Sequence, residues 1–164
     1  MIKIATVFSG IGAAEQALKQ MGVDHEIVFA CDNGERYLKE SEEEIREYLS
    51  AFPKEQQEQK INELYDKTGK VNNVKKSYFA NYNITEDRWF QDIRFVDGNP
   101  YKGQVDLFIG GSPCQSFSTY GHKLGLEDTR GTLFYDFARL VSEINPKVFI
   151  YENVPGLLNH DNGN

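Results

Sequence analysis

Hydrophobic positions along this chain follow two textures. Residues 2–8 are rich in β-branched side chains and run into Ser9-Gly10-Ile11-Gly12, a strand delivered into a glycine turn. Residues 13–21 then place Ala14, Ala17, Leu18 and Met21 on one helical face, with Gly22 as the stop. A second apolar run over 26–31 ends at Asp32-Asn33-Gly34. Strand, glycine turn, helix and strand in this order open a parallel α/β sheet. The same rhythm returns later. A short strand is predicted over 89–93, buried strands over 105–109 and 147–151, and between the latter two a helix over 133–144 whose Leu133, Phe134, Phe137, Leu140, Val141 and Ile144 point inward.

Residues 35–76 interrupt that rhythm. Ser41-Glu42-Glu43-Glu44 reads as a capping box, Ile45, Tyr48, Leu49 and Phe52 carry a helical period, and Pro53 ends it. A second charged helix over 54–66 carries Ile61, Leu64 and Tyr65 and closes near Gly69. The segment is expected to be a helical hairpin inserted into the α/β fold, a solvated lid.

Composition narrows the class. The chain has 164 residues, 40% hydrophobic and 26% charged, enough for one domain with its own core. Two cysteines, Cys31 and Cys114, make no disulfide framework, and with no membrane-length apolar run the expected location is the cytoplasm. The net charge of −7 speaks against a nucleic-acid partner at first sight. Residues 35–66 alone hold ten acids against five bases, so the excess describes one segment and not the whole surface.

Candidate chemistry falls at strand ends, where open α/β sheets bind their ligands. Gly12 lies 20 residues before Asp32, the spacing of a glycine turn with an acid that accepts from ribose hydroxyls. The third glycine of the dinucleotide fingerprint is replaced by Glu15, which is expected to repel a pyrophosphate. A ligand with a ribose and no phosphate fits better, and S-adenosylmethionine is the foremost example. Cys114 follows the sharp turn Gly110-Gly111-Ser112-Pro113 and reads as a presented thiol, whereas Cys31 inside a strand reads as core. Glu152 ends the strand over 147–151, and its position there is expected to bury it. If those two strands are parallel neighbours, thiol and carboxyl share a pocket. His25, His122 and His160 lack ligand spacing, so no metal is assigned.

Taken in order, Phe8-Ser9-Gly10-Ile11-Gly12, Pro113-Cys114-Gln115-Ser116-Phe117-Ser118, Arg130-Gly131-Thr132-Leu133-Phe134 and Glu152-Asn153-Val154 resemble the motifs of the C5-cytosine DNA methyltransferases. The resemblance covers the chain except the inserted segment. It implies a Rossmann-like, S-adenosylmethionine-dependent methyltransferase fold, here an incomplete parallel sheet with helices on both faces. By the same resemblance Phe8, Gly10 and Gly12 surround the methionine part of the cofactor, Asp32 takes the ribose hydroxyls, and Asp92 and Ile93 contact adenine. Cys114 is the implied nucleophile and Glu152 the partner of the cytosine ring.

The resemblance further implies double-stranded DNA as partner. Residues 115–129 are polar and glycine-broken, suiting a loop that closes over DNA, and there His122, Lys123 and Arg130 read equally as phosphate contacts or as solvated loop residues. The target-recognition region is expected in a second polypeptide or a C-terminal half. A tRNA-methylating branch of the family and a non-catalytic cofactor-binding subunit remain alternatives, and a nicotinamide-dependent dehydrogenase is disfavoured by Glu15.

Overall fold

The computed structural model describes residues 1–113 and 133–155. Five strands, β1 (Ile2–Val7), β2 (His25–Cys31), β3 (Trp89–Phe90), β4 (Leu107–Gly110) and β5 (Val148–Tyr151), form one sheet in the order β3-β2-β1-β4-β5. Every pairing is parallel. The order turns outward in both directions from β1, so the chain reverses its winding between β1 and β4, which is where α/β sheets open a crevice.

Two cores explain the layering. Along the strands, side chains alternate between faces. Ala5, Val7, Phe29 and Phe108 join Phe137, Leu140 and Ile144 of α5 (Leu133–Ile144) on one face. Ile4, Ile27 and Ala30 join Leu18 of α1 (Ala13–Gln20), Tyr78 and Trp89 on the other. The Phe108 and Phe137 rings stack with centroids 4.9 Å apart. Helices therefore cover both faces, as expected.

The inserted segment departs from expectation. Its first helix, α2 (Glu42–Ser50), has the reciprocal capping box read from the sequence, with Ser41 accepting from the Glu44 N–H and Glu44 from the Ser41 N–H. Helix α3 (Lys54–Lys67) buries Ile61 and Tyr65 against Ile45 and Leu49. A third helix, α4 (Asn73–Asn81), capped by the Asn72 side chain, runs past residue 76 and lays Tyr78 on the sheet. Only Tyr78 of α4 is buried, so no apolar stripe announces the helix. The segment is three helices with a buried inner face, not a solvated hairpin.

Two further expectations change. The strand predicted over 89–93 stops at Phe90, because the Asp92 side chain accepts from the Arg94 N–H and starts a 3-10 turn at Ile93–Phe95. Strand β5 is not buried among the described residues. It lies at the sheet border, and Val148, Phe149 and Ile150 are each about half exposed. Among the described residues, no helix is long and apolar enough to cross a membrane.

Candidate functional site

Four of the five strand ends contribute to a single cavity of about 820 Å³, lined by Phe8 after β1, Asp32 after β2, Asp92 and Ile93 after β3, and Gly111 and Pro113 after β4. Such a volume suits a ligand of nucleoside-conjugate size.

The turn after β1 is held by its neighbours. Phe8 takes a left-handed backbone with φ of 53°, a conformation costly for a side-chain-bearing residue. Ser9 anchors it, since its hydroxyl accepts from the Cys31 N–H at 3.0 Å and its own N–H donates to the Cys31 carbonyl at 3.1 Å. Gly10 donates its N–H to Asp32 Oδ2 at 2.8 Å, and Gly34 donates to Asp32 Oδ1 at 2.8 Å. One carboxylate thus ties the β1 and β2 turns together, and each of its oxygens keeps a further lone pair toward the cavity.

Gly12 lies behind the turn, outside the cavity lining. With φ of 90° it starts α1, its carbonyl accepts from the Tyr82 hydroxyl at 2.6 Å, and a Cβ there would stand 2.2 Å from the Tyr82 ring. A side chain is excluded both by the backbone conformation and by that ring. Neither Gly10 nor Gly12 lines the cavity; both shape it.

Glu15 does not face a ligand. It is fully buried, with Thr6 Oγ1 at 2.9 Å and the Tyr78 hydroxyl at 2.6 Å both donating to its Oε1. Burial, then the Glu15 carboxylate, pushes the Tyr78 phenol well up and keeps it a donor. The expectation that Glu15 repels a pyrophosphate is therefore overturned, because the first turn of α1 aims that side chain into the core. Acids that do line the cavity are Asp32, Asp92 and four from the inserted segment, Glu35, Glu40, Glu42 and Glu43. Among the described residues Arg94 is the one base in the lining, and it is paired with Asp92 at 2.6 Å. This surround favours a cationic ligand and disfavours a diphosphate.

Cys31 touches the same cavity but is only 2% exposed, and burial, followed by the Asp92 and Asp32 carboxylates, pushes its thiol well up. A thiol kept protonated in this way is inert, in keeping with its reading as core.

Strands β4 and β5 are parallel neighbours, with Gly110 opposite Tyr151. Beyond that pair, the Glu152 N–H donates to the Gly110 carbonyl at 2.9 Å. Glu152 lies against Gly111, where an added Cβ would meet its Oε2 at 2.9 Å and its carbonyl oxygen at 2.8 Å, so only glycine admits this approach. The Tyr151 hydroxyl bonds the Ser112 hydroxyl, and Asn153 Nδ2 donates to Tyr151 at 3.1 Å. The Gly-Gly-Ser-Pro turn and the Glu-Asn-Val segment are thereby bound to one another. Glu152 itself is exposed, contrary to expectation, because β5 is a border strand. Cys114, His122, Lys123 and Arg130 lie outside the described residues.

Sequence reasoning missed the inserted segment's share of this site. Tyr37 and Leu38 line the cavity, and Arg36, Tyr65 and Asn72 reach the strand ends beneath it. Their partners are far away in sequence, so no local pattern marks them.

Comparison with known proteins gives a consistent picture. Residues 62–164 match the family model for C-5 cytosine-specific DNA methylase. The orphan methyltransferase M.SPRI of Bacillus phage SPR is 37% identical over 163 residues, 99% of this chain and 28% of that protein. The type II methyltransferase M.Eco47II of Escherichia coli is 62% identical over 72 residues, 44% of this chain and 17% of that protein. The chain spans about a quarter of the length of the phage relatives it matches. Among solved structures, a DNMT2 of Spodoptera frugiperda superposes with a TM-score of 0.54 at 22% identity, over 98% of this chain and 38% of that one. The shared architecture is the Rossmann-like methyltransferase fold.

Proposed function

This chain belongs to the C-5 cytosine-specific DNA methylase family, and from that premise we propose that the protein carrying it transfers a methyl group from S-adenosylmethionine to C5 of cytosine in double-stranded DNA. The observation that carries the reading is the convergence of four strand ends on one acid-lined cavity, with Glu152 packed on the Gly111 backbone at its rim. S-Adenosylmethionine supplies an electrophilic methyl on a sulfonium when bound. Phe8 and Ile93 offer it apolar surface, Asp32 a carboxylate for ribose hydroxyls, and the acidic lining a field suited to its positive charge.

In this reading the Cys114 thiolate adds to C6 of cytosine, forming a C6–S bond and sending the C5–C6 electron pair toward N3. Glu152 in its protonated form gives its proton to N3, so C5 becomes nucleophilic and takes the methyl. The methyl's bond to sulfur breaks as its bond to C5 forms, releasing S-adenosylhomocysteine. A base then removes the C5 proton, the C5–C6 double bond re-forms as the C6–S bond breaks and the thiolate leaves, and the N3 proton returns to the Glu152 carboxylate. Reaching such a pocket requires a flipped base. Target recognition is assigned to a further part of the protein or a second polypeptide.

The test uses the complete protein with DNA containing 5-fluorocytosine. A denaturation-resistant adduct is expected with the wild type and none with Cys114→Ser; an adduct that survives the substitution refutes the role of Cys114. S-Adenosylhomocysteine should raise the melting temperature and NAD should not, and the opposite result refutes the cofactor.

A further inference from the structure

We propose that the inserted helices belong to the cofactor site, and that Tyr65 of α3 is a positioning residue that holds the Asp92–Arg94 turn in its binding shape. The inference rests on the reading of the cavity as an adenosyl site and adds to it a part of the chain that no motif covers.

The need for such a device follows from β3. Only Trp89 and Phe90 pair with β2, so the ladder ends before the residues that line the cavity, and two paired residues fix little beyond themselves. Side chains from the inserted segment take over. The Tyr65 hydroxyl, fully buried, donates to Asp92 Oδ2 at 2.7 Å. Burial, then the Asp92 carboxylate, pushes this phenol well up, so it stays a donor. On the opposite side Arg94 donates Nη2 to Oδ2 at 2.6 Å and Nε to Oδ1 at 3.0 Å, while the Arg94 N–H reaches Oδ1 at 3.1 Å. Four donors fill the four lone-pair sites of one carboxylate that is 6% exposed.

A second set of contacts holds the neighbouring residue. Arg36, 3% exposed and stacked over the Tyr65 ring at 4.9 Å, donates to Gln91 Oε1 and to the Asn33 carbonyl. Asn72 Nδ2 donates to the same Gln91 oxygen at 3.2 Å and to the Asp32 carbonyl at 3.0 Å. The ends of β2 and β3 are thus bridged by three side chains, none of which lines the cavity itself. They act through Asp32, Asn33, Gln91 and Asp92.

With its acceptor sites filled, Asp92 serves as the centre of the turn that sets Ile93 in the cavity wall. Removing the Tyr65 hydroxyl withdraws one of four donors from a buried carboxylate and frees the turn to move.

The experiment is isothermal titration of S-adenosylhomocysteine into the complete protein as wild type, Tyr65→Phe and Ile61→Val. Ile61 is buried on the same helix and packs beside Tyr65 without touching Asp92. Loss of one hydrogen bond to a charged acceptor predicts about tenfold weaker binding for Tyr65→Phe. Ile61→Val lowers the melting temperature but leaves the Kd within about twofold. In turnover, Tyr65→Phe raises the KM for S-adenosylmethionine and leaves kcat near the wild-type value. If Tyr65→Phe does not fold, Arg36→Lys, which breaks the fork to Gln91 and Asn33, reads the same coupling and predicts weaker binding. A Kd unmoved in the folded variant, or moved equally by Ile61→Val, overturns the inference alone. Failure of the wild type to bind S-adenosylhomocysteine overturns the cofactor reading and the inference with it.

Discussion

Glu58 of α3 is a carboxyl whose charge the fold disfavours. Burial pushes its pKa up to about 7, offset in part by the Gln91 backbone N–H that faces it and raised again by Asp92. Its Oε1 is buried without a hydrogen-bond partner. The unfolded chain releases this proton near the usual carboxylate pKa of about 4.3. Between those values the native state therefore binds more protons than the unfolded state, and stability falls as pH rises. Glu58 costs nothing below about pH 4, and the full cost is reached above about pH 7. At about 1.4 kcal/mol per unit, the loss between pH 5 and pH 8 comes to roughly 2–3 kcal/mol. Glu58→Gln keeps the shape and cannot ionise. Urea denaturation of wild type and variant at pH 5, 6, 7 and 8 should give a gap in favour of the variant that widens by that amount between pH 5 and pH 8. Subtracting the two curves removes every other titrating group. A constant difference across the range would refute the assignment of the charge penalty to Glu58.

Three further outcomes follow from packing and hydrogen bonding. Phe137→Ala removes a 2%-exposed ring that stacks on Phe108 and meets Tyr151 at 4.9 Å, and should cost about 3–5 kcal/mol of unfolding free energy in a denaturant titration. Asp32→Asn replaces an acceptor of two backbone N–H groups with one oxygen and one opposed donor. It should lose about 1–3 kcal/mol of stability and weaken S-adenosylhomocysteine binding by calorimetry. Ser41→Ala dissolves half of the capping box at the cavity edge and should cost about 1 kcal/mol, with α2 amides exchanging faster by hydrogen–deuterium exchange.

Much of the α/β frame was legible because buried parallel strands write themselves as β-branched runs stopped by glycine. Residues 2–7, 25–31 and 107–110 do so, and the helix over 133–144 falls where its apolar period places it. Asp32 could be placed at the crevice because strand ends converge on the reversal between β1 and β4, whereas Phe8, Asp92 and Ile93 are placed there by the family resemblance. The inserted segment was illegible for a physical reason. Arg36 reaches Gln91 across 55 residues, and Tyr65 reaches Asp92 across 27; such buried polar pairs leave no periodic trace. Glu15 misled because its place in the first turn of α1 says nothing about which way that turn faces. Val148 to Ile150 misled for the opposite reason, since an apolar strand reads as covered whether or not its own chain covers it.

The sheet's two flanks are unequal. On one side β3 is a two-residue stub, too short to template a neighbour. On the other, β5 offers four residues of straight backbone, with Val148, Phe149 and Ile150 half uncovered beside it. Among the described residues, the longer uncovered edge therefore lies next to Glu152 and the shorter one next to Asp92. Because the Glu152 N–H is already spoken for by Gly110, docking on the free flank would leave that registry untouched. The rim formed by Gly110 and Glu152 can be walled in from outside without being rebuilt.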